Sequence, residues 1–391
     1  METSLFTKAI NRKSLMKSAC IIQRKQVTGK GIDGISCKEA VTYTQKHLKE
    51  NLKALKNGTY NPLPAKRTEI PKPDGRVRII GIPSVMDKVI QQSIKTVLEP
   101  LYEESFSDTS YGFRPDRNIH DAVAKAKEYL DSGYIHVVQI DISSFFDNIN
   151  HDRMMSVLYK KIKDRDMLKL IRKYLQSGII GKDGKYIKAV KGAVQGGNLS
   201  PLLANIYLDI LDKELERQNI YFTRYADDVT LYCKSKEEVL NVLDMTERFI
   251  KVKLGMDINR NKTEIGMPEE CIMLGFGFFK ENGKYKSYIP EKTIRKLAKK
   301  ICTNIDNSTE YGEAIRKTSN EIKGWYSNYR NADKFISVKS AKSLDRMVLE
   351  KLYKKYGKGC NIKMFKEKLD KEAKVSMKKL VSIYNNRPIK D

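Results

Sequence analysis

The sequence predicts a mixed α/β (α+β) fold followed by a helical, strongly basic C-terminal part. Three observations carry that expectation. Residues 134–140 read as a buried strand that ends on Asp141. Residues 220–233 read as a tight β-hairpin, two β-branched and aromatic runs around Asp227-Asp228. From Glu291 onward the chain is Lys-rich and helical in character.

The first 60 residues read mostly as amphipathic helices, as in Cys37 to Leu55, where Ala40, Val41, Leu48, Leu52 and Leu55 recur at helical spacing. Thr28–Gly34 lies between two of them. Its glycines look like a phosphate cradle, but no strand precedes it and no GxxxxGK[ST] is present. A flexible loop that offers Lys30 to a template is the reading. Next, Pro73-Asp74-Gly75 makes turn chemistry between strand-like runs, with Lys72, Arg76 and Arg78 at or near the tip. Such a hairpin could close over a triphosphate, although an ordinary charged hairpin fits the segment equally well. A helix from Ser84 to about Leu101 leads to Tyr111-Gly-Phe-Arg-Pro115 and a further helix, Ile119–Leu130. There Arg114 either touches phosphate or braces the loop.

His151–Leu175 is expected to be helical throughout. A second hairpin at 178–192 leads to Gln195-Gly196-Gly197-Asn-Leu-Ser200-Pro201 and a helix to about Arg217. Paired glycines let a backbone approach a base or nucleotide closely. Beyond the acidic hairpin come a helix (Glu237–Lys253), a polar turn (Asn259–Lys262), an apolar strand (Cys271–Phe279) and a linker at Ile289-Pro290. Trp325 and Tyr329 could stack on bases, though aromatic residues four apart on a helix more often pack in a core.

Chemistry enters through the carboxylates. Adjacent aspartates on a hairpin repel, so a cation is the natural reason for pairing them. A solvated turn would explain Asp227-Asp228 alone, and a helix cap would explain Asp141 alone. Together, strand-Asp then hairpin-Asp-Asp is how a palm-type polymerase gathers a pair of Mg²⁺ ions for in-line phosphoryl transfer.

Lys and Arg number 74 against 48 acidic residues in 391, a net +26, which demands a polyanionic partner. Residues 280–391 hold 29 basic and 13 acidic side chains, so +16 of that charge sits in the C-terminal part. The six cysteines form no Cys-x-x-Cys pair and the four histidines end at His151, which excludes a zinc finger and a His–Asn–His nuclease module. Scattered cysteines and the lack of a signal peptide or membrane-length apolar run point to the cytoplasm, with no membrane partner.

Five ordered blocks now stand together: Ile-Pro-Lys-Pro-Asp-Gly (70–75), Tyr-Gly-Phe-Arg-Pro (111–115), Asp-Ile-x-x-Phe-Phe-Asp (141–147), Gln-Gly-Gly-Asn-Leu-Ser-Pro-Leu-Leu (195–203) and Arg-Tyr-Ala-Asp-Asp (224–228). With Leu-Gly-Phe (274–276) and Gly-Trp-Tyr-Ser-Asn-Tyr (324–329), the chain resembles a bacterial group II intron reverse transcriptase/maturase over nearly its whole length. The resemblance implies a right-hand polymerase. Residues 1–60 would be an N-terminal extension and the start of the fingers, 61–289 fingers and palm, 290–345 a helical thumb/maturase region, and 346–391 a basic tail with a possible reduced DNA-binding region.

It implies that Asp141, Ile142, Asp227 and Asp228 hold two Mg²⁺ ions, with Mn²⁺ a possible substitute. Phe145 or Phe146 would exclude a 2′-OH. Lys72, Arg76 and Arg78 would meet the triphosphate, Gln195 and Gly196 would line the nucleotide pocket, and Lys262 would protonate departing pyrophosphate. Lys30, Arg114, Trp325 and Tyr329 would touch nucleic acid. The implied partners are a structured RNA template, a DNA or RNA primer and dNTPs. Ala193-Val194 stands where the family often has Thr-Pro, and about 160 residues follow the acidic hairpin, too few for an endonuclease. Two other roles fit the same blocks: a free-standing reverse transcriptase in phage defence or repair with its own non-coding RNA, and a splicing cofactor with an idle polymerase.

Overall fold

A computed structural model describes residues 4–25, 29–71, 77–359 and 361–372. The fold mixes helix and sheet, as the hydrophobic periodicity requires. The chain divides into two compact units, one of Met1–Arg117, Ile140–Leu231 and Leu240–Thr263, the other of Asn118–Gln139, Tyr232–Val239 and Glu264–Asp391. A four-stranded sheet runs in the order Tyr221–Tyr225, Asp228–Cys233, His136–Asp141, Glu264–Gly266. Among the described residues no helix is long and apolar enough to cross a membrane.

In the first unit, helix Val85–Glu103 is the central rod. Ser84 caps it by accepting from the Asp87 N–H, and every residue from Val85 to Ile94 is buried. Burying each large aliphatic side chain here contributes about 1.5–3 kcal/mol. Helices Leu5–Ala9, Arg12–Arg24 and Ala40–Lys56 pack against this rod. Asp87 is buried but fully bonded, accepting from Ser84 Oγ (2.6 Å), Tyr60 Oη (2.8 Å), Leu63 N (3.1 Å) and Tyr174 Oη (3.2 Å). Burial raises its pKa, and those four donors oppose the rise.

Strands Ala65–Pro71 and Val77–Ile82 pair antiparallel, with Thr68 opposite Ile80, and Ile179–Ile180 joins Ala65–Pro71 in parallel. The stretch expected as one helix over His151–Leu175 is two, His151–Lys161 and Arg165–Gln176. Asp164 makes the break. One of its oxygens caps the second helix at the Asp166 and Met167 N–H groups, while the other accepts from Phe6 N (2.8 Å).

The second unit is mainly helical: Ile119–Asp131, Glu291–Asp306, Tyr311–Tyr329, Val338–Tyr356 and Ile362–Glu372. Its hairpin, Gly277–Glu281 with Lys284–Tyr288, starts later than the strand expected at Cys271–Phe279. The physical reason is a tight turn, Met273 to Phe276, with Leu274 (φ 52°) and Gly275 (φ 89°) both left-handed. At Ile289-Pro290, Pro290 occupies the N-cap position of helix Glu291–Asp306. Lys355 Nζ satisfies the far end of that helix, donating to the carbonyls of Ile305 and Asp306 and to that of Ser308.

Candidate active site

The first carboxylate is set by the turn after Met256. Asn259 N–H donates to the Asp141 carbonyl (2.7 Å) and Ser143 N–H to the Asp257 carbonyl (2.9 Å), which pairs Ile142 with Ile258. Lys262 N–H then folds back onto the Asn259 carbonyl (2.9 Å). The result places Lys262 Nζ 3.4 Å from Asp141 Oδ2. Ile142 turns its side chain into the core, which leaves its backbone carbonyl as the only group it could offer a cation.

The other two carboxylates come from the hairpin. Ala226 sits in the left-handed region (φ 57°), unusual for a residue with a Cβ. Asp227 lies in the turn and Asp228 opens the second strand, so the pair straddles the tip. Asp228 keeps solvent-accessible surface, yet its pKa is pushed up to about 6. Crowding by protein atoms contributes most, then repulsion from Asp227 and Asp141, while Arg78 pulls the other way. Among the described residues, no three His, Cys, Asp or Glu side chains are arranged to cage an ion unaided. This donor set still fits Mg²⁺, which keeps several waters and is usually held by one or two carboxylates plus substrate phosphates.

The two phenylalanines separate. Phe145 is 2% exposed and packs on Tyr207. Phe146 instead lines an open cavity of about 220 Å³ with Ile79, Gly81, Gly192, Val194 and Gln195. That cavity is built by interlocked loops. Gly81 N–H donates to the Gln195 carbonyl (2.7 Å), and Ala193 N–H to that of Phe146 (2.8 Å). His151 Nε2 donates to the Gly192 carbonyl (2.8 Å). A Cβ on Gly81 would meet Val194 Cγ1 at 2.3 Å, and one on Gly196 would meet the Gly81 carbonyl oxygen at 2.6 Å. Neither position has room for a side chain.

Of the basic hairpin, Lys72 and Arg76 lie outside the described residues, while Arg78 is exposed on its strand. Lys30 is exposed on a loop moored by Asp33, whose carboxylate accepts from Val85 N (2.6 Å). Arg114 is a brace. Its guanidinium is buried, bonded to Glu103 and to the carbonyls of Ser107 (2.5 Å) and Ser110 (2.7 Å), so it faces the fold rather than a phosphate. In the second unit Trp325 is buried at 8% exposure between Tyr329 (centroids 4.9 Å apart) and Phe335 (5.8 Å), and Tyr329 also packs on Phe276 (5.0 Å). That is core packing, which removes Trp325 from base stacking.

Sequence reasoning missed the support beneath the acidic turn. Arg224 and Asp212 are both 0% exposed and form a forked ion pair, with Arg224 Nε 2.8 Å from Asp212 Oδ1 and Nη2 2.5 Å from Oδ2. Arg224 Nη1 donates to the Ala226 carbonyl (2.9 Å) and to Asn205 Oδ1 (3.0 Å). The one available signal was a pair of polar residues, Asn205 and Asp212, seven apart and so on the same side of helix Ser200–Arg217 as its buried Leu208 and Leu215.

Asp209, on the same helix, is pushed up to about 6, first by burial and then by Asp212. A carboxyl whose pKa is higher folded than unfolded binds its proton more tightly in the fold. Stability from it is therefore full below its ordinary value of 3.8 and is lost as pH rises toward about 6. Asp209→Asn should gain about 1 kcal/mol at pH 7, discounted for partial exposure, and nothing at pH 3.5. Urea denaturation at the two pH values checks this, and an equal gain at both would remove the charge as its cause.

A mixed helix-and-sheet fold that carries aspartates at a strand end and at a hairpin turn is compatible with a template-directed nucleotidyltransferase. The chain belongs to the reverse transcriptase (RNA-dependent DNA polymerase) family, whose profile matches residues 70–278. It is 30% identical over 316 residues to protein YkfC of Escherichia coli, spanning 68% of this chain and 82% of that one. It is 40% identical over 201 residues to the group II intron-encoded protein LtrA of Lactococcus lactis, spanning 51% of this chain but only 33% of LtrA. A solved telomerase from Candida albicans, in complex with a fragment of telomeric RNA, aligns over 89% of this chain and 71% of its own at TM-score 0.46 and 15% identity.

Proposed function

We propose that this reverse transcriptase copies a structured RNA into DNA with Asp141, Asp227 and Asp228 as its metal-binding carboxylates. The observation that supports it best is electrostatic: these three charges press on one another around Asp228, with Arg78 their opposing neighbour and Lys262 against Asp141. Mg²⁺ held there, with Ile142 contributing its carbonyl, would acidify the attacking hydroxyl and neutralise charge on the phosphates. The primer 3′-oxygen bonds to the α-phosphorus of a dNTP as the bond to pyrophosphate breaks. Lys262 would give the leaving pyrophosphate a proton, and Arg78 would attract the triphosphate. Phe146, Gln195 and Gly196 would shape the sugar and base pocket.

Group II intron RNA is the partner we favour, because the relatives include a group II intron-encoded protein. A cytoplasmic setting goes with that reading. A primer annealed to an RNA template, mixed with protein, Mg²⁺ and dNTPs, should be extended, and NTPs should serve poorly. Failure with every template would leave only the splicing-cofactor role. Sequencing the RNA that copurifies separates an intron from a small dedicated non-coding RNA.

In the second unit we propose that helix Glu291–Asp306 meets nucleic acid through Lys292, Lys296 and Lys299, which are exposed on one face. The residues 290–345 would then act as a thumb, with the basic tail adding to the grip. Replacing the three lysines by Gln should flatten the slope of log affinity against log salt by roughly two units, at about 0.7–0.9 per lost phosphate contact. Matching slopes would make this face merely solvated.

A further inference from the structure

We infer that Arg224 is a positioning residue for the catalytic turn: through the Ala226 carbonyl it fixes where Asp227 and Asp228 point. The proposal rests on reading those two aspartates as metal ligands. Its basis is a closed circuit of contacts. Asp212 and Asn205, two turns apart on one helix, orient the guanidinium of Arg224. The guanidinium holds the Ala226 carbonyl at 2.9 Å. Asn205 Nδ2 donates in turn to the Gly112 carbonyl (2.8 Å), and Gly112 lies against the opposite side of the turn, where a Cβ would meet Ala226 N at 2.3 Å. Tyr111 N–H donates to the Arg224 carbonyl (2.8 Å) and Arg224 N–H to that of Thr109 (2.9 Å), closing the loop.

Ala226 is thus gripped at its carbonyl and backed at its nitrogen. Its left-handed backbone is held from two sides, by Arg224 and by Gly112. Stability alone is a weak reason for the arrangement, since a buried ion pair commonly breaks even against apolar packing. Only an arginine can bind Asp212 through a fork and still direct a further N–H to Asn205 and Ala226. Lysine, with one nitrogen, cannot span those partners.

The test uses full-length protein and Mn²⁺ as the probe, with no nucleic acid or nucleotide. Free Mn²⁺ is followed by electron paramagnetic resonance while affinity is measured for wild type, Asp227→Asn, Arg224→Lys and Gly112→Ala. Circular dichroism and binding to an RNA–DNA duplex serve as checks on folding. We expect Arg224→Lys and Gly112→Ala each to weaken Mn²⁺ binding about tenfold, with both checks near wild type. Gly112→Ala alters no charge, so its loss reports geometry. If Asp227→Asn weakens binding while the other two match wild type, Arg224 is only a structural ion pair and the inference fails. If Asp227→Asn itself binds like wild type, the metal-site reading fails instead. Should Arg224→Lys lose its helical signal, Gly112→Ala decides alone.

Discussion

Asp227→Asn should abolish primer extension, lowering the rate by at least about a thousandfold, and should leave affinity for template–primer close to wild type. The substitution keeps the size and hydrogen-bonding reach of the side chain and removes one negative charge. On the proposed reading chemistry depends on that charge, because Asp227 and Asp141 both repel Asp228 where a cation would be held. Affinity for nucleic acid depends on the Lys and Arg side chains that give the chain its net +26. Single-turnover extension beside filter binding separates the two effects. Extension at the wild-type rate would move the metal site away from the hairpin.

The neighbouring phenylalanines should fail in opposite ways. Phe145→Ala removes a ring that is 2% exposed and packed on Tyr207, which costs about 3–5 kcal/mol. Against a typical stability of about 5–15 kcal/mol, that is a large share, so its melting temperature should drop sharply. Phe146→Ala opens the cavity lined by Ile79 and Gln195 and should leave melting near wild type. Its consequence is lost selectivity, with ribonucleotides now extended alongside dNTPs. Thermal denaturation and competing NTP and dNTP incorporation check both. A stable Phe145→Ala that admits ribonucleotides would make Phe145 the gate.

The acidic hairpin was legible in the sequence because β-branched and aromatic runs, a turn and paired carboxylates are all local signals. Asp141 was legible for the same reason, at the end of a strand-like run rich in Val and Ile. The break at Asp164 was not: the periodicity on both sides is helical, and the residue that interrupts it also bonds to Phe6, 158 positions away. Arg224 gave no sign either. An arginine in a strand reads as surface charge until Asp212 and Asn205 are seen beside it. Arg114 left two roles open in the sequence, and the side chain turns inward because Glu103 and two carbonyls meet its guanidinium there. The strand expected at Cys271–Phe279 failed on Leu274, whose positive φ no propensity scale anticipates.

The interlock of Gly81, Val194 and Gly196 also constrains how the sequence can drift. A methyl group on Gly81 collides first with Val194 and then crowds the Ala65 Cβ at 3.0 Å, so position 81 can grow only if position 194 has already shrunk and the Ala65 strand gives a little. Position 196 is closed differently, since the obstacle there is the Gly81 carbonyl oxygen itself, which no side-chain exchange removes. One neighbour is therefore negotiable and the other is not. Val194 can shrink alone, whereas Gly81 should change only after it has. Gly196 stays glycine for as long as the two loops share this path. A departure such as Ala193-Val194 then alters which changes at position 81 remain open to the lineage.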